Sequence, residues 1–393
     1  MRLADIKNDD LFFLSGPSSI NFDDAGINST NSKSDGTNIY ANEYRFYVEN
    51  NIKIGSKFKA NIGVHSSLFN VQNTLYNSIE PRISGTYIFS GNNSVKASYT
   101  QTKQYLHLLT NSGFGLPSDL WVPPTSTIKP QQAQQFAAGF YQKLSGDITL
   151  SVETYYKELN NLIAYKENSS FFIESKEWDT KVLNNGEGTS YGIEFFFQKN
   201  TKKMQVWLGY TLSKTTRRFD LLNNGKEYSY KYDRTHDISL NIIYNINKKI
   251  SVSANWVFGT GNAVSLPIAV YPSIMYPSPD NTFEYGGEEN DLSLPLGNIH
   301  YRNNTEIFEY GERNSQRLPA YHRLDINILM TKKKKRGERT FALGLYNVYS
   351  RRNPYYLTYA YNSDAFGNYN AKGEFRIVSL FPVLPSISYS FKF

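Results

Sequence analysis

The chain has 393 residues, a formal net charge of +7 at pH 7 and no cysteine. The absence of cysteine excludes a disulfide framework, a thiolate zinc site and a cysteine nucleophile. Hydrophobic residues make up only 40% of the chain, yet it contains 31 tyrosines and 25 phenylalanines. No run of about 18 apolar residues is present that could form a transmembrane helix. This composition is typical of a transmembrane β-barrel or of a large soluble all-β protein.

Apolar and polar residues alternate with a period of two along most of the chain, which predicts strands with one apolar and one polar face. In chain order the clearest segments are residues 58–65, 148–157, 204–213, 238–246, 250–258, 324–330 and 386–393. We count about 16 such segments, most of them about nine to thirteen residues long, close to the length of a tilted strand that crosses a bilayer. The predicted fold is therefore all-β.

The connections between these segments alternate between short and long. Short turns are predicted at residues 90–93, 145–147, 200–203, 245–248 and 332–338, and long loops at 105–130, 160–188, 217–233 and 259–319. Outer-membrane barrels have short periplasmic turns and long extracellular loops, whereas a sandwich or propeller does not sort its loops in this way. The pattern predicts a transmembrane antiparallel up-and-down β-barrel. The basic run at residues 332–336 is interpreted as a solvated hairpin turn and not as a nucleic-acid patch.

Catalytic patterns are sparse in the sequence. The five histidines lie far apart, without the spacing of metal ligands: His65, His107, His236, His300 and His322. No Gly-x-Ser-x-Gly elbow is present. We therefore expect no enzyme activity, no cofactor and no metal site. The charged stretch that contains Asp233, Arg234 and Asp237 is interpreted as an ion-pair cluster at a barrel rim.

Several motifs, in this order, resemble the TonB-dependent outer-membrane receptors of Bacteroidetes-type bacteria. They are GLPSDLWVPP at 115–124, IKPQQ at 128–132, GTSYGIE at 188–194, YDRTH at 232–236, RLPAYHRLD at 317–325, LYNVY at 345–349 and RNPY at 352–355. The end of the chain, PSISYSFKF, is similar to the barrel-closing strand of that family. The matches extend over most of the chain from about residue 115 onward.

The resemblance implies an energised importer with a barrel of about 22 strands and an N-terminal plug that contacts the TonB complex. No plug, TonB-binding box or signal peptide is visible in the sequence. We therefore expect residues 1–393 to be the C-terminal part of the barrel, with the plug outside it. The expected location is the outer membrane of a Gram-negative cell. Expected partners are TonB (through the plug), outer-membrane lipids, the barrel assembly machinery and a surface lipoprotein, but no nucleic acid.

Two other functions stay open at this point. A passive diffusion porin also has about 16 strands, and a secreted all-β adhesin would share the aromatic composition. The transported substrate is equally open, because siderophores, cobalamin, oligosaccharides and peptides are all carried by this architecture and fold does not determine the ligand.

Candidate site residues fall into three groups. Ligand contacts are expected in the long loops, whose aromatic rings could stack on a flat or sugar-like ligand or could merely pack over the barrel mouth: Trp121, Asp119, Tyr271, Tyr276 and Tyr285. Lumen-facing residues that would contact the plug are Glu153, Glu194, Asp233, Arg234, Arg323 and Asp325. The resemblance implies a barrel-insertion signal at Tyr389, Phe391 and Phe393.

Overall fold

A computed structural model describes residues 39–111, 119–144, 147–167, 178–272, 306–363 and 369–393. Its strands are β1 (Ala41–Ile54), β2 (Phe58–Val71), β3 (Thr74–Ser90), β4 (Asn93–Gln104), β5 (His107–Leu109), β6 (Leu120–Val122), β7 (Gln131–Leu144), β8 (Ile148–Tyr165), β9 (Val182–Asn200), β10 (Met204–Arg218), β11 (Tyr228–Ser229), β12 (His236–Asn245), β13 (Ile250–Gly259), β14 (Ala263–Val264), β15 (Pro267–Pro272), β16 (Glu306–Tyr310), β17 (Gln316–Arg317), β18 (Tyr321–Lys334), β19 (Gly337–Tyr346), β20 (Tyr356–Ser363), β21 (Tyr369–Val378) and β22 (Leu384–Lys392). Two single-turn 3-10 helices, Trp178–Lys181 and Asn223–Gly225, lie in connections.

One large antiparallel sheet dominates the described part of the chain and confirms the predicted all-β, up-and-down fold. It has 14 strands in the order β1-β2-β3-β4-β7-β8-β9-β10-β12-β13-β18-β19-β22, with β11 added beside β10. Consecutive long strands are therefore neighbours throughout, as in a barrel wall. Within the described residues β1 and β22 each pair with a strand on one side only. They are the two edge strands of this sheet, which is therefore open.

The sheet has one apolar and one polar face, because the register keeps side chains of the same character opposite one another across many strands. One apolar row contains Leu150, Phe197, Leu208, Leu240, Trp256 and Leu324, each directly opposite the next. Many residues of this face are exposed, including Val48 (78%), Ile79 (72%) and Ile387 (73%). A continuous exposed apolar face of this size is the lipid-facing surface of a transmembrane barrel.

The two ends of the sheet differ as the loop alternation predicted. The turns after β1, β3, β7, β9, β12 and β18 are short and lie at one end, and the long connections after β4, β8, β10, β13 and β19 lie at the other. The turn after β2 is the exception at the long-loop end. It has two residues, Gln72 and Asn73, both at positive φ, which is the geometry of a tight hairpin whose twist matches that of the strands.

Among the described residues the path of the sheet has 13 strands, which are the 14 strands of the sheet without β11. The other described strands pair within the long connections, namely β5 with β6, β14 with β17, β15 with β16 and β20 with β21. The basic run at 332–336 forms the exposed β18–β19 turn, as predicted. That turn needs Gly337 at φ +147, because a Cβ there would lie 2.2 Å from the backbone oxygen of Lys392. The described segments contain no helix long and apolar enough to cross a membrane.

Candidate functional site

The long connections pack together at one end of the sheet and form a loop layer, which we define as the described parts of residues 105–130, 166–181, 219–235 and 260–320. Two clusters of buried side chains join this layer to the strand ends: Leu109, Val122, Ile128, Ile163, Tyr165 and Val182 in the first, and Leu162, Ala164, Phe219, Leu222 and Tyr228 in the second. We call this end of the sheet, with its loop layer, the mouth. The buried cores lie here because the wall itself presents its apolar side chains outward. The mouth is thus a packed platform on which side chains are held in place.

Asp119 and Trp121, two of the predicted ligand contacts, occupy different environments in this layer. The Asp119 carboxylate accepts a hydrogen bond from Lys231 Nζ at 3.0 Å and another from the hydroxyl of Tyr232. It therefore joins the 105–130 connection to the 219–235 connection. Trp121 lies opposite Leu108 in the small β5–β6 sheet and is 49% exposed. Its ring is thus available at the surface of the layer, whereas Asp119 is engaged within the chain.

Asp233 and Arg234 lie at the rim, but their roles differ. Asp233 is 2% exposed, forms an ion pair with Arg317 and accepts a hydrogen bond from the backbone N–H of Thr215 at 2.6 Å. Arg234 forms an exposed ion pair with Asp237 at 3.0 Å. The stretch is an ion-pair cluster at the rim, as the sequence suggested, and Asp233 also fastens the 260–320 connection to β10.

Two arginines that sequence reasoning did not select lie over tyrosine rings in this layer. Arg217, on the polar face of β10, lies directly opposite Tyr228 of β11, and its guanidinium Cζ is 3.7 Å from the centroid of the Tyr230 ring. Arg313, from the 260–320 connection, lies 5.3 Å from the centroid of the Tyr228 ring. The Nε atoms of both arginines are inaccessible and have no hydrogen-bond partner among the described residues. The alternating tyrosines of the YSYKY stretch at 228–232 were the visible signal, but their contact with Arg313 depends on the tertiary structure.

The electrostatics of this cluster reflect burial beside positive charge. Burial lowers the pKa of His107 to about 4, with a hydrogen bond to the backbone of Lys129 opposing the shift and the charge of Arg217 adding to it. Burial raises the pKa of Tyr228, and the charges of Arg313 and Arg217 oppose that rise. For Tyr230, burial also raises the pKa, with Arg217 opposing and Asp119 adding to the rise. The tyrosines and the histidine are therefore neutral near pH 7. Burial also lowers the pKa of Arg217 from its ordinary value, and the nearby Tyr230 and Tyr228 oppose that shift.

Glu153 and Glu194 lie on the polar face, as strand parity predicted. They are directly opposite each other on β8 and β9, and Glu194 is in turn opposite Thr211 on β10. Both belong to the wall that faces the lumen in a barrel of this type. Contact of these carboxylates with a plug stays a prediction.

Arg323 and Asp325 also lie on the polar face, where they hold a corner of the wall. Arg323 Nε donates to Asp325 at 3.0 Å, and its Nη1 atom donates to the hydroxyls of Tyr321 and Tyr346. The Asp325 carboxylate accepts the backbone N–H of Asn347 at 2.9 Å. The motifs at 317–325 and 345–349 are thus brought into one hydrogen-bonded corner. Contact of Arg323 and Asp325 with a plug stays a prediction.

The remaining candidates lie in the β15–β16 region and at the end of the chain. Tyr271 is 50% exposed and donates to Glu309 at 2.8 Å. Tyr276 and Tyr285 lie outside the described residues. Tyr389 and Phe391 share the apolar face of β22 and are 63% and 41% exposed, and Phe393 at the terminus is 97% exposed. The structure thus presents these aromatic side chains outward, and their role as an insertion signal stays a prediction.

Metal binding has no visible support at the mouth or elsewhere in the described ranges, where no group of three or more His, Asp or Glu side chains is arranged to hold an ion. The described side chains at the mouth offer aromatic rings, hydroxyls and guanidinium groups for non-covalent binding.

Comparison with solved structures finds similar folds among receptors. The pyoverdine outer-membrane receptor FpvA from Pseudomonas aeruginosa PAO1 has a TM-score of 0.56 at 12% identity, over 93% of this chain and 44% of that chain. The ferric yersiniabactin uptake receptor FyuA from Yersinia pestis has a TM-score of 0.55 at 10% identity, over 90% and 46%. The ferric-catecholate import receptor Fiu from E. coli K12 has a TM-score of 0.50 at 15% identity, over 90% and 45%.

At these identities the likeness establishes the fold, and the chain spans less than half the length of each of these structures. A search of curated proteins finds no match. A family model described as TonB dependent receptor-like, beta-barrel, matches residues 7–348. A match over that much of the sequence, on an antiparallel sheet with a lipid-facing surface, identifies the chain as an outer-membrane protein that belongs to the TonB-dependent receptor-like β-barrel family.

Proposed function

We propose that this chain forms the barrel wall and the ligand-capturing mouth of a TonB-dependent receptor that imports a nutrient through the outer membrane. The observation that carries the proposal is the loop layer, which packs at one end of an outward-apolar sheet and contains exposed and half-buried aromatic rings. A passive pore needs no such platform, whereas a receptor must bind its ligand before transport. The family is one of receptors and transporters, and we propose that the chain has no catalytic activity.

The proposed substrate class is a ferric chelate of the siderophore type. Three receptors of similar fold carry names that refer to pyoverdine, ferric yersiniabactin and ferric catecholates. The mouth of this chain provides planar groups that suit a flat chelate, with Trp121 exposed on β6 and Tyr230 and Tyr232 in the 219–235 connection. Oligosaccharides and peptides are the competing substrate classes.

The proposed partners follow from the two faces and two ends of the sheet. A plug in the lumen would contact the polar face around Glu153 and Glu194 and would couple the receptor to TonB. The apolar face would contact outer-membrane lipids, and the aromatic end of β22 would be read by the barrel assembly machinery. A surface lipoprotein would dock above the loop layer.

The test is uptake by cells that express the whole protein. Cells grown under iron limitation should take up radiolabelled iron from at least one ferric siderophore, and deletion of the gene should abolish that uptake. Deletion of TonB or addition of a protonophore should abolish it equally. Uptake that survives both treatments, together with a steady ion conductance in planar bilayers, would contradict the proposal and establish a diffusion porin. Cell adhesion without uptake would establish an adhesin.

A further inference from the structure

The loop layer contains a pair of cationic groups that the chain does not neutralise. Arg217 and Arg313 have no carboxylate within 4.0 Å among the residues that the structure describes. Arg218, the neighbour of Arg217 in sequence, points to the opposite face and pairs with Glu187 at 3.1 Å. An ion pair is therefore formed on the outward side of β10 but not on the inward side, where burial makes an unpaired charge more costly.

The acid that could have served as a counter-ion is already bound. Asp119 is close enough to act on Tyr230 electrostatically, but its carboxylate is engaged by Lys231 and Tyr232. Arg217, Arg313 and Lys231 therefore carry more positive charge than the single negative charge of Asp119 can neutralise. Like charges that lie close together in a half-buried site repel each other, and an anion between them removes that repulsion.

The geometry of the two arginines suits an oxygen anion. Each guanidinium lies near a tyrosine ring, with Arg217 Cζ 3.7 Å from the centroid of the Tyr230 ring and Arg313 Cζ 5.3 Å from that of Tyr228. The buried Nε–H of each arginine lacks a partner in the described segments. A guanidinium offers its N–H groups as a planar fork that matches two oxygens which share a negative charge. Arg217, Arg313 and Tyr230 each keep part of their surface exposed, so a ligand at the mouth can reach these side chains, although the two Nε atoms themselves are covered.

We propose that Arg217 and Arg313 together bind an oxyanion group, of the carboxylate or catecholate type, with the rings of Tyr228 and Tyr230 as the floor of the site. The inference rests on the proposed function, because it assigns the charge of the captured ligand: an anionic chelate is preferred to a neutral one. The same chemistry would hold a free anion such as inorganic phosphate, and the experiment separates these two sources.

The experiment measures binding to the whole protein, purified in detergent, by quenching of its intrinsic fluorescence. The probes are the ferric complex of 2,3-dihydroxybenzoate, which is anionic, the ferric complex of acetohydroxamate, which is neutral, and inorganic phosphate. The wild type should bind the anionic complex about tenfold or more tightly than the neutral one, as expected for two charge-assisted hydrogen bonds. Arg217→Gln and Arg313→Gln should each remove most of that preference and leave binding of the neutral complex unchanged.

Arg218→Gln is the matched control, because it removes a charge from the adjacent residue on the outward face and should leave all binding constants unchanged. Arg217→Lys keeps the charge without the planar fork and should restore only part of the preference. Phosphate that binds in the wild type and not in the arginine variants, without any preference between the two complexes, would assign the site to a free anion.

Equal binding of the anionic complex by wild type and both Gln variants would overturn the inference. So would an equal loss of both complexes, which would indicate damage to the loop layer, or a failure of all three probes to bind the wild type. These outcomes are independent of TonB-dependent uptake, so that the inference can fail while the proposed function stands.

Discussion

At the scale of single residues, the charged side chains of the mouth are of two kinds. Some accept hydrogen bonds from distant parts of the chain, and others have no charged partner among the described residues. Asp119, Asp233 and Asp325 each accept hydrogen bonds from a distant part of the chain, and each joins two connections or strands. Arg217 and Arg313 have no such carboxylate in the described ranges. The contrast makes the arginine pair the part of the mouth with the clearest capacity to bind something else.

Asp233 provides a test of the structural role. We expect Asp233→Asn to weaken attachment of the 260–320 connection, because the substitution removes the charged partner of Arg317. The cost should be about 1–3 kcal/mol, since the side chain of Arg317 is partly solvated. Amide hydrogen exchange of residues 316–320 in the whole protein measures this directly. The control is Arg234→Gln, which breaks an exposed pair and should cost less than about 1 kcal/mol. Equal protection in the Asp233 variant and the wild type would show that Arg317 does not depend on this carboxylate.

At the scale of elements, the described parts of the 105–130 connection, residues 105–111 and 119–130, are packed against the strand ends. The connection contains its own two-stranded sheet, β5–β6, and its residue Ile128 is 1% exposed. The hydroxyl of Tyr76, at the start of β3, donates to the carbonyl of Ile128 at 3.3 Å, and Asn184 donates to the carbonyl of Thr127 at 3.0 Å. Packing of this kind keeps Trp121 in a fixed position at the surface of the mouth.

The buried histidine of this connection makes its order depend on pH. Because the pKa of His107 is lowered from an ordinary 6.5 to about 4, the packed state is fully stable above pH 6.5 and loses stability as the pH falls from 6.5 towards 4. The loss reaches roughly 3 kcal/mol, at about 1.4 kcal/mol per pKa unit. Proteolysis of residues 105–130 in the whole protein should therefore accelerate between pH 7 and pH 4.5.

The matched variant for this prediction is His107→Asn, which keeps an acceptor for the contact of the imidazole Nδ1 with Gln131 and cannot take up a proton in this range. It should remove most of the acceleration. His236→Asn, at an exposed histidine on the rim, should not change it. Acceleration of the same size in the His107 variant would mean that carboxylates elsewhere, and not His107, control the order of the connection.

At the scale of the whole molecule, the membrane determines which face of the sheet is apolar. We expect Leu240→Arg to reduce stability in the bilayer by about 2–4 kcal/mol, because Leu240 lies mid-strand on the lipid-facing side, between Leu208 and Trp256. Asn241→Arg, one residue further on the polar face opposite Asn255, should cost much less. Urea titration of the whole protein folded in lipid vesicles compares the two, and equal stability of the variants would contradict the assignment of faces.

The sequence by itself determined the fold class, the faces of the strands and the ends at which short and long connections lie. These properties follow from local chemistry, since a period of two in polarity selects a strand with two unlike faces whatever it pairs with. Glu153, Glu194, Arg323 and Asp325 were therefore placed on the polar face correctly. The sequence did not show which alternating segments belong to the wall, because segments such as β20 and β21 look like wall strands but, among the described residues, pair with each other.

Only the tertiary structure decided which residues meet at the mouth. Arg217 and Arg313 lie against neighbouring tyrosines, and Asp233 pairs with Arg317, because separate connections fold back over the same end of the sheet. The side chain of Asn353 makes the two backbone hydrogen bonds that a neighbouring strand would make to His322. It accepts from the backbone N–H of His322 at 3.0 Å and donates to the carbonyl of His322 at 3.0 Å. Contacts between residues so distant in the chain depend on how long loops pack, and no local periodicity encodes that packing.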